Sequence, residues 1–245
     1  MIKTENGFAR IYKIYGRSEA EVKELLGDIP TMNGDIHVTT KAIGREVHVR
    51  AEIAEQDEET AKNLLKPVGK EIKKVLGAMI YSTKEHESME DAVVRLLKKY
   101  VLTVTTAESC TGGMIASMIV NVPGASDVFN EGFITYSNKA KRKLLDVSKN
   151  TLKKYGAVSE QTVREMALGG VFAADSDACI AVSGIAGPDG GTEEKPVGLV
   201  YIGCCIKDEV TVKECHFDGS RFEIREQSAF AALDLLRTAI INNYR

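Results

Sequence analysis

The residues best suited to chemistry fall in four short segments, each directly after an apolar, β-rich run. The first is Ala107-Glu108-Ser109-Cys110-Thr111-Gly112-Gly113, entered from the run Val101–Thr106. Ser109 and Cys110 are nucleophile types, and both gain reactivity only when a base or a positive environment removes their proton. Gly112 and Gly113 let a ligand approach the backbone closely, and free amides at the start of a following helix attract anions. Thr111 or Ser109 could equally serve as a helix cap. The spacing is neither Gly-x-Ser-x-Gly nor a Walker phosphate loop, so those mechanisms do not transfer.

The second segment, Ser183-Gly184-Ile185-Ala186-Gly187-Pro188-Asp189-Gly190-Gly191, follows Ile180-Ala181-Val182. Its glycines cost backbone entropy that a simple turn does not require, so a binding loop is expected. The third, Thr135-Tyr136-Ser137-Asn138-Lys139-Ala140-Lys141, offers a phenol and two amines. The fourth, Asp218-Gly219-Ser220-Arg221, offers a guanidinium. Taken alone, Lys141 reads as a solvated lysine and Arg221 as a surface partner of Glu223 or Glu226. Loops leaving the carboxyl ends of several strands converge at one edge of a sheet, so each gains weight from the others.

The elements that must position these loops alternate. Strands are expected over 101–106, 132–136, 178–183, 198–206 and 210–217. Helices are expected over 112–121, 160–174 and 223–241, the last with Ala229, Leu233, Leu236 and Ile240 on one face. A helix capped by Ser88, with Met89, Val93, Leu96 and Leu97 inward, precedes them. This pattern predicts an α/β domain over 84–245, a mixed sheet covered by helices on both faces. Residues 1–83 read as a smaller α+β domain. Its strands are Phe8–Tyr15, Ile36–Lys41 and Glu46–Ile53, with a turn at Gly44-Arg45 and a short strand over 78–81. Ser18 caps a helix facing inward through Val22, Leu25 and Leu26. Asp57 caps a second helix ending at Gly77, with Ala61, Leu64, Leu65, Val68, Ile72 and Val75 inward. Ser82 to Glu87 is polar and aperiodic, as a boundary would be.

With 245 residues the chain can bury a proper core without covalent staples. A net charge of −3 argues against nucleic acid as the default partner. Five cysteines, no Cys-x-x-Cys pair and no secretory apolar segment point to free thiols in a cytoplasm. The scattered histidines do not make a metal site, and no apolar run is long enough to span a membrane.

Together the four segments resemble the C-terminal domain of the competence-damage-inducible (CinA) family, the nicotinamide mononucleotide deamidases. The matching stretches are Thr-Ala-Glu-Ser-Cys-Thr-Gly-Gly at 106–113, Thr-Tyr-Ser-Asn at 135–138, Gly-Ala-Val-Ser-Glu at 156–160, Ser-Gly-Ile-Ala-Gly-Pro-Asp-Gly-Gly at 183–191 and Glu-Glu-Lys-Pro-Val-Gly at 193–198. Residues 8–81 are similar to the family's KH-like middle domain. Longer members begin with a domain similar to molybdopterin-binding proteins. Residues 1–245 hold no counterpart, so no activity of that domain is expected of them.

The resemblance implies hydrolysis of the carboxamide of nicotinamide mononucleotide to nicotinic acid mononucleotide and ammonia, without a cofactor, by a homodimer. It implies Ser109 as nucleophile, Lys141 as its base and Tyr136 as an orienting or relaying neighbour. Cys110, Thr111, Gly112, Gly113, Ser183, Gly184, Gly187 and Arg221 are expected to line the substrate. Two positions depart from the family's pattern: Lys139 stands in place of a commoner glutamate, and Ser220 in place of an aspartate.

A lysine base must be neutral, and bringing its pKa from ~10.4 to ~7–8 takes roughly 4 kcal/mol of environment. Burial or a nearby cation such as Arg221 or Lys139 could supply it. Amides at the helix start after Ser109 could hold an oxyanion or a phosphate. Cys110 remains a rival nucleophile, which chemistry alone does not separate from Ser109. The alternative class is a non-catalytic nucleotide-binding or regulatory protein using the same loops. RNA binding by the first domain is not expected, because it has no Gly-x-x-Gly loop and is rich in acids.

Overall fold

The computed structural model describes residues 1–29, 35–55 and 57–244. The chain divides into two compact units, Met1–Ser88 and Met89–Arg245.

The first unit holds β1 (Ile2–Lys3), β2 (Phe8–Tyr15), α1 (Glu19–Leu26), β3 (Ile36–Ile43), β4 (Glu46–Ile53), α2 (Glu58–Leu76) and β5 (Ile80–Ser82). Its strands are antiparallel in the order β1-β2-β4-β3, with β5 also on β2. Ser18 starts α1 with a full capping box shared with Glu21, and Asp57 accepts from the Thr60 amide at the start of α2. The core joins Tyr12, Ile14, Val47 and Val49 to Val22, Leu26, Leu65, Val68 and Ile72. Leu25, Leu64 and Val75 are exposed rather than inward. Each helix buries a narrow stripe, Ala61, Leu65, Val68, Ile72 and Leu76 in α2, and these three flank it. A 3₁₀ turn takes Gly77–Met79, so β5 begins two residues later than the apolar run suggested.

The second unit begins with α3 (Met89–Tyr100). The expected strand over 101–106 is displaced to β6 (Val104–Glu108). Val101 takes a left-handed conformation, φ 56°, and the Leu102 amide closes the helix on Leu97 O at 2.9 Å. Helix closure thus overrides the β preference of two β-branched or apolar residues. Next come α4 (Met114–Val120) and β7 (Phe129–Ile134). The register of β7 against β6 ends at Glu108↔Ile134, leaving Thr135 and Tyr136 beyond the strand that was expected to hold them.

Two helices follow that periodicity did not announce, α5 (Asn138–Leu145) and α6 (Lys149–Tyr155). The buried residues of α5 are Lys141 and Leu145, so one of its two inward positions is a lysine and few apolar residues mark the helix. The remaining elements are α7 (Glu160–Ala174), β8 (Ala178–Gly184), β9 (Leu199–Ile206), β10 (Glu209–His216) and α8 (Arg221–Tyr244).

The sheet order is β10-β9-β8-β6-β7. β7 and β8 run parallel to β6, while β9 is antiparallel to both β8 and β10. Hence β6, β7, β8 and β10 all point their carboxyl ends to one edge, the usual ligand edge of such sheets. One face is covered by α7, which packs on β8, β9 and β10; the other by α8, which packs on β8 and β9 and against α3 and α4. Ala229, Leu233, Leu236 and Ile240 of α8 are all buried.

Candidate active site

At the end of β6 the backbone stays in the sheet for one residue more than the strand itself. The Ser109 amide donates to Val182 O at 3.0 Å, and Glu108 O accepts from the Thr135 amide at 2.7 Å. The chain then turns sharply through Gly112 and Gly113, at φ 61° and 95°, conformations that favour glycine. α4 follows at once. This places the Ser109 hydroxyl at the sheet edge, mostly shielded from solvent.

Lys141 meets it from α5. Ser137 caps that helix by accepting from the Ala140 amide, which sets the first turn and directs Lys141 inward. Its Nζ lies 2.8 Å from Ser109 Oγ and donates to Thr135 O at 2.8 Å. Lys141 is 1% exposed. Burial pushes its amine down from the ordinary 10.5 to about 8, opposed only by the neighbouring Cys110 thiol. The cations expected to do this contribute nothing: Lys139 is exposed and Arg221 is engaged elsewhere. Desolvation suffices because a charged amine held away from water loses hydration energy.

Cys110 follows the opposite course from the helix-start expectation. Burial pushes its thiol up to about 11, against smaller stabilising effects of nearby amides and Lys141. It is therefore a protonated, weak nucleophile near neutrality.

The expected anion site at the start of α4 is already filled. The buried Glu108 carboxylate accepts from the amides of Gly113 at 2.9 Å, Ile115 at 3.1 Å and Ala116 at 2.9 Å. On the other side of the turn, Arg225 of α8 donates from Nε to Cys110 O at 2.9 Å and from Nη2 to Thr111 O at 2.8 Å. Neither residue was assigned a role from sequence. Glu108 had a signal, a charged side chain at the end of an otherwise uncharged strand. Arg225 had none, since only the fold brings α8 to this loop. The hydroxyls of Thr111 and Thr135 are buried and lack a hydrogen-bond partner among the described residues.

Arg221 is the first residue of α8, not a loop residue. Its Nη1 donates to Gly187 O at 2.7 Å and its Nη2 to Tyr136 Oη at 3.0 Å. It thus ties the glycine loop to the segment after β7. Tyr136 is exposed and joins Arg221 rather than the Ser109–Lys141 pair. Ser183 donates to Ala157 O at 2.7 Å, holding the turn before α7. Gly184 and Gly187 sit where a side chain would strike Val200 and Val197. Lys195 anchors the far end of the glycine loop, donating to Tyr155 O and Val158 O, each at 2.7 Å. All four segments therefore reach one edge.

The CinA C-terminal domain model matches residues 86–240, and the KH domain model of damage-inducible protein CinA matches 9–82. The chain belongs to the CinA family. A relative of Clostridium beijerinckii bearing the competence-damage inducible name is 46% identical over 235 residues, which is 95% of this chain and 57% of that protein. A CinA-like protein of Kosmotoga olearia is 44% identical over 234 residues, 96% of this chain and 57% of that one. The chain thus spans a little over half the length of these CinA relatives. Among solved CinA structures, CihA of Agrobacterium tumefaciens aligns at TM-score 0.60 with 41% identity, over 63% of this chain and 94% of that one. A competence damage-inducible protein A of Klebsiella pneumoniae aligns at TM-score 0.63 with 32% identity, over 66% and 100%. Among the described residues, no cluster of His, Cys, Asp or Glu could hold a metal, and no helix is long and apolar enough to cross a membrane.

Proposed function

We propose that the second unit is an amidohydrolase acting on the carboxamide of nicotinamide mononucleotide, using Ser109 as nucleophile and Lys141 as base. The observation that carries this reading is the buried amine 2.8 Å from the Ser109 hydroxyl, with its pKa brought down to about 8. A hydroxyl and a base in hydrogen-bond reach, with the base near neutral pH, meet the requirement for nucleophilic catalysis.

Neutral Lys141 takes the Ser109 proton as Oγ attacks the amide carbon. The tetrahedral intermediate collapses when Lys141 returns that proton to the leaving nitrogen, which departs as ammonia. Water then attacks the Ser109 ester, giving up a proton to Lys141, which passes it to the leaving Ser109 Oγ as nicotinic acid mononucleotide is released. No cofactor enters this sequence. The carbonyl of Thr135 holds Lys141 throughout. Arg221, fixed by Gly187 and Tyr136, is a placed cation at the same edge for the anionic substrate.

We assign the chemistry to residues 84–245 and a packing or dimer-forming role to 1–83, in a cytoplasmic homodimer whose small-molecule partner is the mononucleotide. The test is ammonia release from that mononucleotide by the full chain, beside Ser109→Ala and Lys141→Ala. Release by the parent and loss in both variants is expected. Mononucleotide binding without turnover would favour a non-catalytic nucleotide-binding protein.

A further inference from the structure

The turn that carries Ser109 is stitched at both ends by ionic side chains. Glu108 sits at the last position of β6, its backbone held by β7 and β8. Its side chain reaches forward to three amides of the next helix, with no exposure to solvent. One residue thus joins the end of the strand to the start of the helix, across the five residues that include the nucleophile. Arg225 holds the carbonyl side of the same turn at Cys110 and Thr111. A peptide's C=O and N–H point opposite ways, so fixing the Cys110 carbonyl also fixes the direction of the Thr111 amide.

We infer that Glu108 is a positioning residue of the reaction, an internal anion that sets the Ser109 hydroxyl against Lys141 and keeps substrate phosphate off the start of α4. This rests on the amidohydrolase reading of the same site. The physical reason is preorganisation. Three hydrogen bonds from one buried side chain, at 2.9, 3.1 and 2.9 Å, tie the strand end to the backbone beyond the turn. Its two oxygens give those amides acceptors fixed to the end of the strand. Without it, three amides lose their acceptor, one of them buried, and the turn relaxes or draws in a foreign anion. The role of Glu108 is thus exerted through Ser109; its own oxygens are all committed away from substrate.

The test uses the full chain with Glu108→Gln and Glu108→Ala. Glutamine keeps the shape but turns a donor group toward donors. Alanine leaves a carboxylate-sized space beside three free amides. Both variants are expected to lose about 100-fold in kcat, with KM within about threefold, as a small displacement of a reacting group does. Formate should recover about tenfold or more of the Glu108→Ala loss by occupying the vacated amides, and should leave the parent unchanged. A kcat near the parent's in Glu108→Gln, a loss confined to KM, or no response to formate would each overturn the inference. If Glu108→Ala does not fold, Glu108→Gln decides by its kcat and KM. If the parent itself releases no ammonia, the reaction reading fails separately. The filled-anion account is then judged by thermal shift, where formate must stabilise Glu108→Ala and not the parent; no difference between them overturns it.

Discussion

Replacing Lys141 by methionine should remove activity and raise stability together. The amine is buried, and its pKa falls from 10.5 in the unfolded chain to about 8 in the folded one. That difference is about 3 kcal/mol of destabilisation. Its sign follows from proton counts. Below pH 8 both states hold the proton and the folded state bears the full penalty. Between about 8 and 10.5 the unfolded state holds more protons, so stability rises with pH. Above 10.5 the penalty is gone.

Methionine has similar bulk and no charge, so it escapes the penalty, but it loses the bonds to Ser109 Oγ and Thr135 O. Leaving that buried carbonyl without its donor costs about 1–2 kcal/mol. The net expectation at pH 7 is a gain of about 1–2 kcal/mol, or roughly 2–8 °C in the Tm of the unit concerned. At pH 10 the gain should shrink to nothing or reverse. Calorimetry at both pH values suits the measurement because it resolves transitions of separate units. Ammonia release is assayed on the same samples. Lower stability than the parent at pH 7, or retained turnover, would refute the argument that a desolvated Lys141 is the base.

Other outcomes follow from the same geometry. Turnover by the parent should climb as pH rises through about 8, where Lys141 loses its proton, and the climb should be absent from residual activity in Lys141→Ala. Ser109→Ala should lose about 1000-fold or more in kcat, whereas Cys110→Ala should stay within several-fold because its thiol, pushed up to about 11, is not ionised; kinetics of the two variants compared side by side check this. Arg221→Lys cannot bridge Gly187 O and Tyr136 Oη at once, and should lower kcat/KM by roughly 10–100-fold, the worth of one charged hydrogen bond. Gly169→Ala should destabilise by about 1–3 kcal/mol and slow turnover too, since the added carbon would strike Leu145 O at the end of α5, the helix that carries Lys141; urea unfolding and kcat measured on one preparation test both effects.

Much of the architecture was legible because local signals and tertiary demands agreed. Phe8–Tyr15, Glu46–Ile53 and Glu160–Ala174 fall where alternation or helical spacing put them. Disagreement arose where a neighbour outweighed propensity, as at Val101 in its left-handed helix cap. It arose again in α5, a short helix with few apolar residues, where a lysine takes one of the two buried positions. That lysine is the proposed base.

By itself the sequence determined which loops end strands, which residue types they hold and which family pattern they follow. These depend on neighbours a few positions apart, whose spacing is fixed by the covalent chain. The tertiary structure alone decided who faces whom. Ser109 and Lys141 lie 32 positions apart, and Arg225 lies 115 from Cys110. Whether an amine is hydrated or buried, and so whether it is a bystander cation or a base, depends on every element packed around it. Folding supplies that low-dielectric surrounding, and no local stretch of sequence contains it.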